Sequence, residues 1–341
     1  MIIKRRRLDG ELEATTVLRE RGPAKMKMSC GALYLPKDEE DKPLGEDAHF
    51  ICAEKQTIGV ADGVGGWAKK GVDAGEYARQ LMKNAEIASQ KESNGDVQLK
   101  RVLGTAFLNT KAQGSPTACI VTLKQDYYLH AIYVGDSGVM IFRDKKFVYK
   151  SPIQRRCFNC PGQLGNSNKS DKPCSAIEIK VGVVPGDIIV LGTDGLLNNM
   201  FPAEIEDVIK KTTLEEGVNP EKLALTIADL ALYNSFDRFF YSPYARAARK
   251  AGKEHRGGKI DDITVIVAHI FPYDVIKKTT LEEGVNPEKL ALTIADLALY
   301  NSFDRFFYSP YTRAARKAGK EHRGGKIDDI TVIVAHILPY V

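Results

Sequence analysis

Long apolar runs are missing from this 341-residue chain. None reaches the roughly 18 residues that a membrane-spanning helix requires, so no membrane partner is expected. The first 28 residues or so lack the apolar core of a secretory signal, and Asp9, Glu11, Glu13 and Glu20 argue against an organellar transit peptide. This segment reads as unstructured, and the chain as intracellular: cytoplasmic or nuclear, with an organelle as the alternative. A strong charge of one sign is also missing. With 49 basic and 44 acidic residues the net charge is only +5. The one basic cluster, Lys4-Arg5-Arg6-Arg7, reads as a solvated terminus, and no nucleic-acid partner is expected.

Several familiar chemical signatures are absent. Gly65-Gly66 is not followed by the Lys-Ser/Thr that completes a phosphate-binding P-loop. Asp194-Gly195 has neither the glycine-rich loop nor the catalytic-loop pattern of a kinase to accompany it. A dinucleotide fingerprint is missing too. His49, His255 and His269 are isolated and read as structural. The six cysteines form no disulfide framework: Cys52 and Cys119 sit in apolar runs, and Cys157-Phe158-Asn159-Cys160 lacks a second pair to complete a zinc site.

What is present has the composition of an ordinary globular domain. Residues 48–53 and 57–61 read as paired strands. Helical patterns follow at 73–90 and 97–110. Apolar runs at 117–123, 127–134, 138–143 and 146–149 read as one antiparallel meander. Residues 151–174, rich in Pro, Asn, Gly and Ser, read as a surface loop. Strands are expected at 176–181 and 187–193. Helices follow, starting near Pro202 and near Asn219-Pro220, and then comes a buried strand at 263–270. This order is that of helices packed on two stacked sheets.

The segment 207–273 recurs as 274–340, with only Ala245 against Thr312 and Phe271 against Leu338 differing. Two copies are too few for a solenoid. The near-identity points equally to a recent duplication and to an assembly error in the gene sequence. Three units are expected: 1–28 unstructured, 29–273 a catalytic domain, and 274–341 a surplus duplicate. A monomer is expected, with a domain-swapped dimer as the alternative, because the surplus copy carries strand-forming sequence with no sheet to join.

Five aspartate-bearing motifs punctuate the strands: Gly45-Glu46-Asp47-Ala48, Ala61-Asp62-Gly63-Val64-Gly65-Gly66-Trp67, Gly135-Asp136-Ser137, Thr193-Asp194-Gly195 and Lys259-Ile260-Asp261-Asp262. Each Asp-Gly pair alone is a commonplace turn. Together, carboxylates at strand ends can converge on hard divalent cations, which prefer oxygen ligands. In order and spacing the five motifs resemble the metal-dependent protein Ser/Thr phosphatases of the 2C type, in the plant-like branch with Ala-Asp-Gly-Val-Gly-Gly-Trp. The resemblance covers residues 29–273.

The resemblance implies an α+β fold, a four-layer α-β-β-α sandwich of two antiparallel sheets flanked by helices. It implies two ions, Mg²⁺ or Mn²⁺, with Asp62 bridging them as the central catalytic ligand. Gly63 offers its carbonyl, Asp194 and Asp261 are direct ligands, and Glu46 holds a metal-bound water. Asp136 is linked to a third ion, and Asp47 and Asp262 support the ligands. Lys42 stands where family members carry a phosphate-gripping arginine, and Val64 where many carry a histidine. Asp328 is the duplicate's alternate to Asp261. The implied activity is direct hydrolysis of phosphoserine and phosphothreonine in phosphorylated proteins. The Cys and Arg of a tyrosine-phosphatase loop are absent at their required spacing. A catalytically silent phosphoprotein-binding module and a phosphoesterase for non-protein substrates are the alternatives.

The cysteine reading has a direct check. Replacing Cys157 and Cys160 with Ser is expected to leave thermal stability and catalysis nearly unchanged. Stoichiometric zinc in the purified protein, lost together with stability in the double variant, would contradict it.

Overall fold

The computed structural model describes residues 26–37, 44–168, 170–213 and 218–272. In chain order the strands are β1 (Met26–Leu35), β2 (Asp47–Cys52), β3 (Thr57–Asp62), β4 (Ala118–Leu123), β5 (Tyr128–Val134), β6 (Gly138–Arg143), β7 (Lys146–Lys150), β8 (Arg155–Cys157), β9 (Cys160–Pro161), β10 (Ile177–Gly182), β11 (Ile188–Gly192) and β12 (Ile263–Pro272). The α-helices are α1 (Ala74–Gln90), α2 (Leu99–Asn109), α3 (Asp194–Leu197), α4 (Pro202–Thr212), α5 (Pro220–Phe236) and α6 (Pro243–Lys250). Two five-stranded sheets run β1-β12-β11-β6-β7 and β10-β5-β4-β3-β2, and every pairing is antiparallel.

The layering follows from side chains alternating across each strand. In β12, Ile263, Val265 and Val267 face the helices α4 and α5, while Ile266, Ala268 and Ile270 join the core between the sheets. In β4, Ala118 and Ile120 face α1 and α2, while Cys119, Val121 and Leu123 face the other sheet. Strands buried on both faces cannot alternate apolar with polar, which is why these segments read as continuous β-branched runs. Three apolar cores thus separate four layers, as expected for the α-β-β-α sandwich.

Helix starts are chemically marked. Asp73 caps α1 by accepting from Gly75 N at 2.9 Å, Asn219 caps α5 from Lys222 N, and Ser242 caps α6 from Ala245 N. Pro202, Pro220 and Pro243 each stand in the first turn, where the missing N–H costs nothing.

Three expectations need correction. The runs from 117 to 149 are not one meander: β4 and β5 pair in one sheet, β6 and β7 in the other. The chain changes sheet at Gly135-Asp136-Ser137, where Gly135 has φ +104°, a conformation that glycine accommodates. Residues 151–174 are not simply a surface loop. They contain the β8–β9 hairpin, with Cys157 opposite Cys160, and Leu164 is fully buried against α1 and α2. The strand β1 was not anticipated, and it starts at Met26, inside the segment expected to be unstructured. The rest of that segment, and the duplicate at 274–341, lie outside the described residues.

The edge strand β1 packs beneath α5. A Cβ on Gly31 would run into the backbone of Glu221 in that helix. Gly31→Ala is therefore expected to destabilise the protein by roughly 1–3 kcal/mol through forced separation of strand and helix. A denaturation midpoint equal to that of the wild type would contradict this packing.

Candidate metal centre

The strand ends that carry the five aspartate motifs meet at one end of the sandwich. In one sheet Asp47 opens β2 and lies opposite Asp62, which closes β3. In the other, Gly192 at the end of β11 pairs with Gly138 and Val265. That pairing brings the Asp136 turn, Asp194 at the start of α3, and Asp261-Asp262 just before β12 to the same end. Antiparallel pairing gathers these ends within each sheet, because one strand's start lies beside its neighbour's finish.

Two carboxylates stitch the sheets together. Asp47 Oδ2 accepts hydrogen bonds from Thr193 Oγ1 at 2.8 Å and Thr264 Oγ1 at 2.7 Å, the first just after β11 and the second within β12 of the opposite sheet. Asp262 Oδ2 accepts from the Glu46 backbone N at 2.9 Å, and its Oδ1 from Lys37 N at 2.6 Å. The buried Glu46 carboxylate lies against Gly65, where a Cβ would sit 2.9 Å from Oε2. Gly63 donates its N–H to Glu46 O at 2.9 Å, and a Cβ there would strike the carbonyl of Ala74. Only glycine lets the backbone after Asp62 pass so close to α1. Val64 N donates to Ser115 O at 2.9 Å.

Lys259 heads the motif that carries Asp261 and Asp262. Its ammonium donates to Asp194 Oδ2 at 2.5 Å and to Asp261 Oδ2 at 2.6 Å. Asn198 Nδ2 also donates to Asp194 Oδ2, at 3.0 Å. Burial opposes the charge on Lys259, but Asp194 and Asp261 more than offset this and raise its pKa. Nothing short of the folded proximity of two distant aspartates identifies this role. Lys42 and Asp328 lie outside the described residues.

The carboxylates are held against their preference for water. Burial, then Asp194, Asp47 and Asp261, raise the pKa of Asp62. Burial followed by the charge of Asp194 pushes Asp136 up to about 7 and Asp261 up to about 6. Asp47 is raised by burial and then by Asp262.

Among the described residues, no three His, Cys, Asp or Glu side chains stand ready in a ligand cage. The reason is visible: Lys259 draws Asp194 and Asp261 to itself, and Asp47 faces two threonines. The donor set nevertheless fits hard divalent cations. Asp47 Oδ1, Asp136 Oδ1 and Asp194 Oδ1 are buried with no hydrogen-bond partner. A buried carboxylate oxygen without a donor is costly, and a dication is the partner that satisfies several at once. Asp62, Asp194 and Asp261 would hold it, with Glu46 and the Gly63 carbonyl alongside and Asp136 at the margin.

Known proteins with this arrangement are informative. The chain is 44% identical over 245 residues to probable protein phosphatase 2C 55 of Arabidopsis thaliana, a match covering 72% of this chain and 52% of that protein. In the solved structure of the photosystem II phosphatase PBCP, the likeness is 32% identity with a TM-score of 0.65, covering 71% of this chain and 98% of that one. The chain belongs to the protein phosphatase 2C family. The catalytic domain of PstP, solved in complex with two manganese ions, shares the fold at 16% identity and a TM-score of 0.51, covering 72% of this chain and 99% of that one. No protein-family model matches the chain. This phosphatase 2C chain spans about half the length of the first curated relative. Among its described residues no helix is long and apolar enough to cross a membrane.

A pH dependence follows from the raised carboxylates. A carboxyl whose folded pKa lies above its unfolded value stabilises the fold at low pH and loses that contribution as pH rises through the folded value. Without metal, Asp261 and Asp136 are therefore expected to lower the melting temperature as pH rises from about 4 to about 7. Cation binding requires the ionised forms, so the stabilisation by Mn²⁺ should widen over the same range. Melting curves in chelator and in Mn²⁺ test this, and a Mn²⁺ shift of constant size across the range would refute it.

Proposed function

We propose that this chain hydrolyses phosphoserine and phosphothreonine esters in protein substrates, using two Mg²⁺ or Mn²⁺ ions. The observation that carries the reading is the convergence of Asp62, Asp194, Asp261 and Glu46 at one sandwich end, where Asp47 Oδ1, Asp136 Oδ1 and Asp194 Oδ1 are buried and unpartnered. Family membership and the fold shared with a manganese-bound phosphatase domain support it.

When bound, the ions supply an activated water and neutralise phosphoryl oxygens. The chain's own residues do the positioning. Asp62 is the central ligand, and its place is set by the β2–β3 pairing opposite Asp47. Asp194 is held by Asn198, and Asp261 by the Asp262 backbone N–H at 3.1 Å. Asp136 takes a third, weaker ion. Asp47 and Asp262 hold the two sheets at the spacing the ligands need. Lys42 completes the phosphate grip, as a point charge where a guanidinium would be a fork. The Val64 side chain has no proton to give, so any proton for the leaving oxygen comes from water or another side chain.

The catalytic unit on this reading ends with the first copy of the duplicated segment, because Ile263–Pro272 already fills the place between β1 and β11. The protein acts as a monomer inside the cell. The kinship with a photosystem II phosphatase makes photosystem II phosphopeptides one arm of a substrate panel.

The test is hydrolysis of a phosphothreonine peptide by the full chain in Mn²⁺ and in excess chelator, with a nucleotide as control. Asp62→Asn is expected to lose roughly 10²-fold or more in kcat/KM, the several kcal/mol that such ions provide. Asp261→Asn should fall similarly, whereas Asp328→Asn should keep full activity. Activity in chelator or preference for the nucleotide would sink the reading. An essential Asp328 with a dispensable Asp261 would sink the assignment of the copy.

A further inference from the structure

The ammonium of Lys259 sits on the two carboxylates that a metal would need. It contacts Asp194 Oδ2 and Asp261 Oδ2, while Asp194 Oδ1 is buried and unpartnered. We propose that Lys259 is a built-in counter-cation. It holds Asp194 and Asp261 together in the metal-free protein, and it is expelled when a divalent ion loads. The inference rests on the reading of this site as a divalent-metal centre.

The backbone and the side chain of Lys259 are anchored very differently. Asn199, fully buried, accepts from Lys259 N at 2.8 Å through Oδ1 and donates to Lys259 O at 2.7 Å through Nδ2. The same Nδ2 donates to Gly195 O at 2.8 Å. The main chain of Lys259 is therefore pinned beside α3. Its four-carbon side chain ends in two ion pairs.

A second resting place exists within a short swing. The ammonium already lies 5.5 Å from the ring centroid of Tyr244, within reach of a cation–π contact. That ring is fixed on its own account. Tyr244 N donates to Asn198 O at 3.1 Å, and the ring packs between Phe158 and His255, with centroids at 5.1 and 4.7 Å. A dication outcompetes a single ammonium for two carboxylates, and the displaced lysine keeps an aromatic face and access to solvent.

The function of such a residue is to set metal affinity. With no cation present, Asp194 and Asp261 would repel each other in a buried site, and Lys259 removes that penalty. The same contacts must be broken before a metal can bind. Hydrogen bonds to charged groups are worth about an order of magnitude each in an equilibrium constant. Lys259 thus protects the empty site and weakens metal binding by the same interaction.

The test uses the full chain and Lys259→Met, which keeps length but removes charge. By calorimetric titration, the variant is expected to bind Mn²⁺ at least about tenfold more tightly than wild type. Its melting temperature in chelator should fall below that of wild type. A purely structural lysine would lower stability without tightening the metal, so unchanged or weaker Mn²⁺ binding would overturn the proposal. If the variant does not fold in chelator, wild type supplies the answer through amine labelling followed by peptide mass. The peptide carrying Phe271 separates Lys259 from its duplicate, where Leu338 stands instead. Labelling of Lys259 should rise on adding Mn²⁺, and unchanged or lower labelling would overturn the proposal. Wild-type phosphopeptide hydrolysis, run in parallel, tests the phosphatase reading separately.

Discussion

The whole site depends on one buried carboxylate that crosses from sheet to sheet. Asp47 leaves β2 and accepts hydroxyl hydrogens from Thr193 and Thr264, which belong to the ends of the other sheet. Apolar packing between the sheets sets their separation but is tolerant of sliding, because it has no direction. Two short hydrogen bonds to a charged oxygen have direction, and they fix how strand ends from opposite sheets line up. Asp262 ties the same corner from the other side through Glu46 N. The carboxylates around Asp62 can face a common point only because these ties hold.

Such an arrangement is costly. Acidic groups packed into a poorly solvated corner repel one another, and Asp62, Asp136 and Asp261 are pushed toward their neutral forms. The three apolar cores bear that cost elsewhere in the molecule. Local instability concentrated where a cation is to bind is a common property of functional sites.

Much of this architecture was legible in the sequence. Strands such as β11 and β12 are β-branched runs buried on both faces, and α1 carries Tyr77, Leu81 and Ala85 on one stripe. The Asp-Gly turns marked the strand ends. The strand β1 escaped because its Met, Ser, Cys and Gly residues form a half-buried edge without clean alternation. The split of β4–β7 between two sheets escaped for a different reason: periodicity reveals a strand but not its partners. Lys259 escaped because its role exists only once Asp194 and Asp261 meet, and those residues are far apart in the chain. The supports Thr193 and Thr264 were hidden similarly, each looking like an ordinary strand residue.

The position of β12 has a consequence for how the chain reaches its fold. It is hydrogen-bonded on both sides, to β1 and to β11, so its slot admits one occupant. The sequence offers two, since 263–272 and 330–339 differ only at Phe271 against Leu338. Closing the longer loop to the later copy costs only about 0.6 kcal/mol more, so equilibrium hardly distinguishes them. Time does. The earlier copy leaves the ribosome first, and domains generally fold as units in order of synthesis. The direction of translation thus breaks a tie that energy alone leaves almost level.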